Sequence, residues 1–335
     1  MQGYITKKGI IDEIKIHSHG NTKFCNPNML EINPAIGCQF ECQYCNAYTQ
    51  EKDNCFNGVV VYEDYPEYLR SWLNDNKNVL DKIFFYYSPK IDCFQDCLIE
   101  TGVTEKILAL FKEYNVKYFM ITKGGVPNDA IKKLLINSKD LNQIIISCTM
   151  PNEDIRRILE PNAKSISERM ELARFCVDNG IRATGIFSPI LPIDNLQFVK
   201  DYIKNYIEMG IYHFRVDYTE ISRESLRKLC DLLPEYKEQL EAVYLDKDAT
   251  ITHWKVPYTE RQIERYWPSM EYMCNTFNDL KNYAESIDER ATVSVCNSLC
   301  TQDKLYRFND KCVNHGINCI GYIMNVEKYN KAMGK

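Results

Sequence analysis

A repeated change of hydrophobic period constrains this chain more than any other feature. Short apolar runs alternate with amphipathic stretches, beginning with "DKIFFYYS" (81–88) and "TEKILALFKEY" (104–114). "VKYFMIT" (116–122) precedes "NDAIKKLLINS" (128–138), and "NQIIISCT" (142–149) precedes "SISERMELARFCVDNG" (165–180). "IRATGIFSPI" (181–190), "LQFVKDYIKNYIEMG" (196–210) and "IYHFRVDY" (211–218) continue the pattern. Continuous apolar runs read as strands covered on both faces, and the striped segments as helices packed against them. The 165–180 helix has Ser165 or Ser167 as N-cap and stops at Gly180.

With "NMLEINPAIG" (28–37) as the first strand, the chain makes six strand–helix steps. Such steps imply parallel strands joined by right-handed crossovers. A complete eight-fold barrel needs two more repeats. The chain after residue 223 instead reads as mostly helical, as in "RQIERYWPSMEYMCNTFNDLKNYAESI" (261–287), with one further strand at "ATVSV" (291–295). The expected architecture is α/β: a partial (βα)6 barrel over residues 28–222. An extension (1–27) precedes it, and a mostly helical, cysteine-containing region (223–335) follows.

No apolar stretch reaches the roughly 20 residues of a membrane span, and the N-terminus lacks the pattern of a signal peptide. A cytoplasmic location is therefore expected. A net charge of −5 gives no electrostatic footprint for a nucleic-acid backbone, so nucleic acid is not favoured as a partner. In a reducing compartment, clusters among the fifteen cysteines point to metal or redox chemistry rather than disulfides. The isolated Cys55, Cys148, Cys176, Cys230 and Cys274 read as small buried hydrophobes. Cys25 has no evident role, and "HSH" (17–19) reads as an exposed loop.

"GCQFECQYC" (37–45) places Cys38, Cys42 and Cys45 on one loop directly after the first strand, at the carboxyl edge where such sheets carry their chemistry. Thiolates suit zinc or the irons of an iron–sulfur cluster. Structural sites of either kind close with four protein ligands, whereas three leave one coordination position open, as catalytic metal sites do.

This C-x3-C-x2-C loop, with Tyr44 before its last cysteine, resembles the signature of the radical S-adenosylmethionine (SAM) enzymes, whose fold is a partial (βα)6 barrel. The resemblance implies a 4Fe–4S cluster on Cys38, Cys42 and Cys45. The open iron would take the amino and carboxylate groups of S-adenosyl-L-methionine, and an electron would split the sulfonium into methionine and a 5′-deoxyadenosyl radical. It implies further that the Tyr44 backbone contacts the adenine, and that an external donor such as a flavodoxin or ferredoxin supplies the electron.

Over roughly residues 30–220 the chain resembles the spore photoproduct lyase-like branch. In "MITKGG" (120–125), Lys123 takes the place of a lysine that contacts the cosubstrate. Ser147 matches a serine that touches it, and Glu160, Pro161 and Arg169 form a recurrent "EP…R" frame, with Arg169 a further cosubstrate-binding candidate and a structural Glu160–Arg169 ion pair or helix-capping charges the alternative. "FSPILP" (187–192) resembles the fifth strand's end. The chain departs from the lyase itself. Asn46 follows Cys45 where the lyase has a tyrosine, and Cys93 and Cys97 lie near its hydrogen-donor cysteine without aligning to it. Both remain candidate hydrogen donors, whereas thymine-dimer repair is not expected.

In the C-terminal region, Cys296, Cys300, Cys312 and Cys319 fall within 24 residues of polar sequence. They could close a second 4Fe–4S cluster, with structural zinc as the alternative and His315 able to replace one ligand. Tyr86, Tyr87, Asp92, Arg215, Asp217 and Tyr218 fall at strand ends and are expected to face the cavity. The expected function is hydrogen-atom abstraction from an organic substrate: a peptide, a nucleobase or a small metabolite. The alternative is a zinc-braced barrel that binds nucleic acid or protein without catalysis.

Overall fold

Parallel strands with apolar side chains on both faces need a layer on each side, and the helices and the barrel interior supply them. The computed structural model describes residues 3–10, 13–16, 29–45, 58–194, 196–255 and 262–295. In chain order the strands are β1 (Tyr4–Lys7), β2 (Lys15–Ile16), β3 (Met29–Ile32), β4 (Ala35–Ile36), β5 (Val59–Tyr62), β6 (Phe84–Tyr87) and β7 (Lys117–Thr122). They continue with β8 (Asn142–Ser147), β9 (Arg182–Phe187), β10 (His213–Val216), β11 (Ile221–Ser222), β12 (Ala249–Lys255), β13 (Gln262–Ser269) and β14 (Thr292–Val295).

The main sheet runs β14-β10-β9-β8-β7-β6-β3-β2. From β3 to β14 every neighbouring pair is parallel, and only β2 is antiparallel to its neighbour. The six expected strands are all present, and "ATVSV" joins them as a seventh parallel strand, with Arg215 opposite Ser294. The barrel is thus one strand wider than six steps imply, and its chain runs past residue 222.

Two small sheets differ from expectation. β1 and β4 flank β5, so the N-terminal extension supplies one strand of this sheet, and the end of the expected first strand (28–37) leaves the main sheet for it as β4. β11 and β12 flank β13 in an antiparallel sheet, within a region read as mostly helical. The helix begins only at Met270, with Ser269 capping the Tyr272 amide, and runs to Ile287. Pro268 falls between the pairs Tyr266–Ile251 and Ser269–Ala249, where the register shifts. That irregularity lets a proline sit in a central strand.

Side chains alternate between the two sheet faces. Met29, Phe84, Phe119, Ile145 and Ile186 form a buried cluster inside the barrel, with Tyr86 and Ile121 packed on it. The opposite face packs Phe85, Tyr87, Tyr118, Met120 and Phe214 into the larger core shared with the helices. The helix Ile166–Asp178 opens with a complete capping box between Ser165 and Glu168, and Gly180 beyond its end has φ +69°.

Candidate active site

The three-cysteine loop begins at a backbone crossing. Gly37 has φ +82°, and a Cβ there would meet the Gly58 carbonyl oxygen at 2.3 Å, so only glycine allows β4 to pass β5 into the loop. Gln39 then pins the loop in two directions. Its N–H donates to Gln95 Oε1 at 2.9 Å, and its own Oε1 accepts from the Cys97 amide at 2.8 Å. Glu41 adopts φ +51°, and the Cys45 amide returns to the Cys42 carbonyl at 3.0 Å.

Three further bonds tie the loop to residues 159–162. The Gln43 amide donates to the Leu159 carbonyl at 2.8 Å, Asn162 Nδ2 donates to Glu41 Oε2 at 2.5 Å, and Tyr44 OH donates to Glu160 Oε1. Cys38, Cys42 and Cys45 are free thiols and half-buried by area. Burial pushes the Cys42 thiol up to about 12, partly countered by Lys123, so iron bound there would have to offset that penalty to hold a thiolate. Among the described residues, no group of three His, Cys, Asp or Glu side chains is arranged to hold a single metal ion. A four-iron cluster places each thiolate on a different iron, so its ligands stand further apart than those of one ion.

Lys123 lies at the end of β7. Its amide donates to Asp92 Oδ2 at 2.7 Å, and its Nζ sits 5.7 Å from the Tyr44 ring centroid, which puts a cation beside the loop. Asp92 is buried and also accepts from the Phe94 amide and Thr122 Oγ1, both at 2.8 Å, so it fixes the strand end rather than meeting a ligand. Ser147 ends β8. It shares a register level with Ile186, Arg215 and Ser294, and its Oγ is buried without a hydrogen-bond partner. A buried hydroxyl in that state fits a polar group of a bound cosubstrate.

Arg169 does not face that space. It is fully buried, and its Nη2 pairs with Glu160 Oε2 at 2.5 Å. Its Nη1 and Nε donate to the carbonyls of Ser147 and Lys164 at 2.9 and 2.8 Å. Burial would raise the Glu160 pKa, but Arg169 and Lys123 hold it below the usual glutamate value, so this carboxylate is ionised. The cosubstrate-binding expectation for Arg169 becomes a supporting one.

Cys93 and Cys97 also differ from expectation. Both belong to the core between sheet and helices, with Cys93 Sγ 3.3 Å from Met120 Sδ on the helix side of β7. Tyr87 likewise points to the helices, donating to or accepting from Thr104 Oγ1 at 2.8 Å, and Tyr218 OH donates to the Met273 carbonyl at 2.8 Å. Tyr86 does face inward, stacked 4.4 Å from Phe119. Arg215 and Asp217 pair at 2.9 Å near the carboxyl ends. Cys25, His17, His19, Asn46, Cys55, Cys296, Cys300, Cys312, His315 and Cys319 lie outside the described residues.

Residues 32–205 match the sequence profile of the Radical SAM superfamily, a span that holds the cysteine loop, Lys123, Ser147 and Arg169. The chain belongs to the radical SAM superfamily. Membership of the superfamily implies a 4Fe–4S cluster and S-adenosyl-L-methionine, and enzymes of this kind typically need an electron donor. The donor set on the first loop and the lone Ser147 hydroxyl fit both groups.

An uncharacterized protein of Methanocaldococcus jannaschii is 26% identical over 216 residues, covering 62% of this chain and 77% of that protein. A cysteine-to-serine mutant of spore photoproduct lyase superposes with a TM-score of 0.63 at 14% identity, covering 87% of this chain and 81% of the lyase. A lyase double mutant with bound AdoMet and dinucleoside spore photoproduct gives 0.58 at 15% identity, covering 86% and 80%. At these identities the likeness to the lyase speaks of fold. No helix among the described residues is long and apolar enough to cross a membrane.

Proposed function

We propose that this radical SAM enzyme binds its open cluster through Cys38, Cys42 and Cys45 and abstracts a hydrogen atom from an organic substrate: a peptide, a nucleobase or a small metabolite. The reading is supported by the three-thiol loop, tied through Tyr44, Glu160 and Arg169 to the end of β8, where the Ser147 hydroxyl is buried without a partner. When bound, the cluster supplies one electron to the sulfonium of the cosubstrate.

The chain's own residues then serve binding and shielding. Ser147 offers a hydrogen bond to the cosubstrate, Lys123 adds a cation beside the loop, and the family resemblance assigns the adenine contact to the Tyr44 backbone. Tyr86 and Phe119 wall the interior with aromatic surface that excludes water. The Arg215–Asp217 pair offers polar recognition near the mouth. A flavodoxin or ferredoxin supplies the electron from outside. Cys93 and Cys97 are both fully buried, and neither is proposed as a hydrogen donor.

We further propose that Cys296, Cys300, Cys312 and Cys319 hold a second 4Fe–4S cluster. Oxygen-free reconstitution tests both statements. Two clusters give about eight irons per chain and brown protein that releases 5′-deoxyadenosine from S-adenosyl-L-methionine. A count near four removes the second cluster, and a colourless zinc protein removes the first.

A further inference from the structure

Two parts of the site must keep a fixed distance: the loop that carries the cluster and the strand ends that carry the cosubstrate. They come from distant stretches of chain, and no backbone pairing joins Tyr44 to Ser147. One buried carboxylate links Tyr44 toward Ser147. Glu160 accepts from Tyr44 OH with Oε1 and from Arg169 Nη2 with Oε2, and both Glu160 and Arg169 are 0% exposed. Arg169 extends the link. Its Nη1 holds the Ser147 carbonyl at 2.9 Å, and its Nε holds the Lys164 carbonyl at 2.8 Å. The Lys164 amide in turn donates to the Lys123 carbonyl at 3.2 Å.

Every member of this chain of bonds ends on a residue next to a functional one. Tyr44 adjoins Cys45, and the two carbonyls held at the far end belong to Ser147 and, through Lys164, to Lys123. The Gln43–Leu159 and Asn162–Glu41 bonds clamp the same two segments on either side of Glu160. A pair serving packing alone needs no such spread of partners. Buried ion pairs add little net stability over apolar residues of equal volume, so their better-attested use is to fix one arrangement among several. Misplacement of a reacting group by about 1 Å can cost about a hundredfold in rate.

We infer that Glu160 and Arg169 are positioning residues that set the distance between the cluster loop and the cosubstrate-binding strand ends, so that cosubstrate affinity depends on a pair that does not touch it. The inference rests on the radical SAM reading of the site.

The test uses the full chain, reconstituted without oxygen. Glu160→Gln combined with Arg169→Met removes both charges together, which avoids leaving one of them buried and unpaired. The expected result is unchanged iron content and melting temperature, with S-adenosyl-L-methionine binding weakened at least tenfold. The change that the cosubstrate causes in the electron paramagnetic resonance spectrum of the reduced cluster should shrink in parallel. Affinity within twofold of the parent, in folded and iron-loaded double variant, overturns the inference. Tyr44→Phe keeps the ion pair and removes only its link to the loop, so it decides the matter if the double variant does not fold. A several-fold loss of affinity supports the inference, and no loss overturns it. Failure of the parent protein itself to load iron or respond to the cosubstrate would instead sink the radical SAM reading of the site.

Discussion

Gly37 and Gly58 touch backbone to backbone: a Cβ on Gly37 would lie 2.3 Å from the Gly58 carbonyl oxygen. The contact sets the angle at which the chain leaves β4 for Cys38. Gly37→Ala adds that clash to a left-handed conformation that disfavours side chains, at a cost of more than about 2 kcal/mol. The variant is expected to melt several degrees lower and to load less iron on the first site, read by thermal unfolding and iron analysis. Full iron occupancy at the parent's melting temperature would show that the crossing relaxes.

Cys42 is half-buried beside Tyr44. Cys42→Ala removes one thiolate and little packing, so stability should change by about 1 kcal/mol. Reductive cleavage should nevertheless disappear, measured as 5′-deoxyadenosine release by chromatography. Retained release in that variant would contradict the assignment of the open cluster.

His213 is buried on β10 with Nδ1 2.8 Å from Thr292 Oγ1, and burial, assisted by Arg215, lowers its pKa from 6.5 to about 3. The folded chain keeps it neutral where the unfolded chain protonates it, so the unfolded state binds the extra proton. This contribution is therefore fully retained above pH 6.5 and is lost as pH falls toward 3, at no more than about 1.4 kcal/mol per pH unit. His213→Gln should flatten the fall in denaturation midpoint between about pH 7 and pH 5. Equal slopes for parent and variant would mean that this imidazole titrates normally.

Much of the fold was legible because its strands are continuous apolar runs, whose type survives any tertiary context. The seventh strand, Thr292–Val295, could be read as a strand but not as a neighbour of β10, since that pairing closes a long loop with no local signal. Gln262–Ser269 lacks the alternation of a half-buried strand, so it read as helix, although Pro268 and the N-cap Ser269 mark where the helix Met270–Ile287 begins. Within the site, the cysteine spacing announced itself, whereas Lys123 and Ser147 came only from the family resemblance and are proposals. Arg169 could be read as an ion-pair partner of Glu160, but Tyr44 could not, because it stands 116 residues earlier.

The central claim, an iron left open for the cosubstrate, is tested most directly by electron paramagnetic resonance of the reduced, oxygen-free protein before and after S-adenosyl-L-methionine is added. A 4Fe–4S signal whose shape changes on addition is the result predicted. A signal indifferent to the cosubstrate, or zinc bound tetrahedrally by Cys38, Cys42 and Cys45, would contradict it.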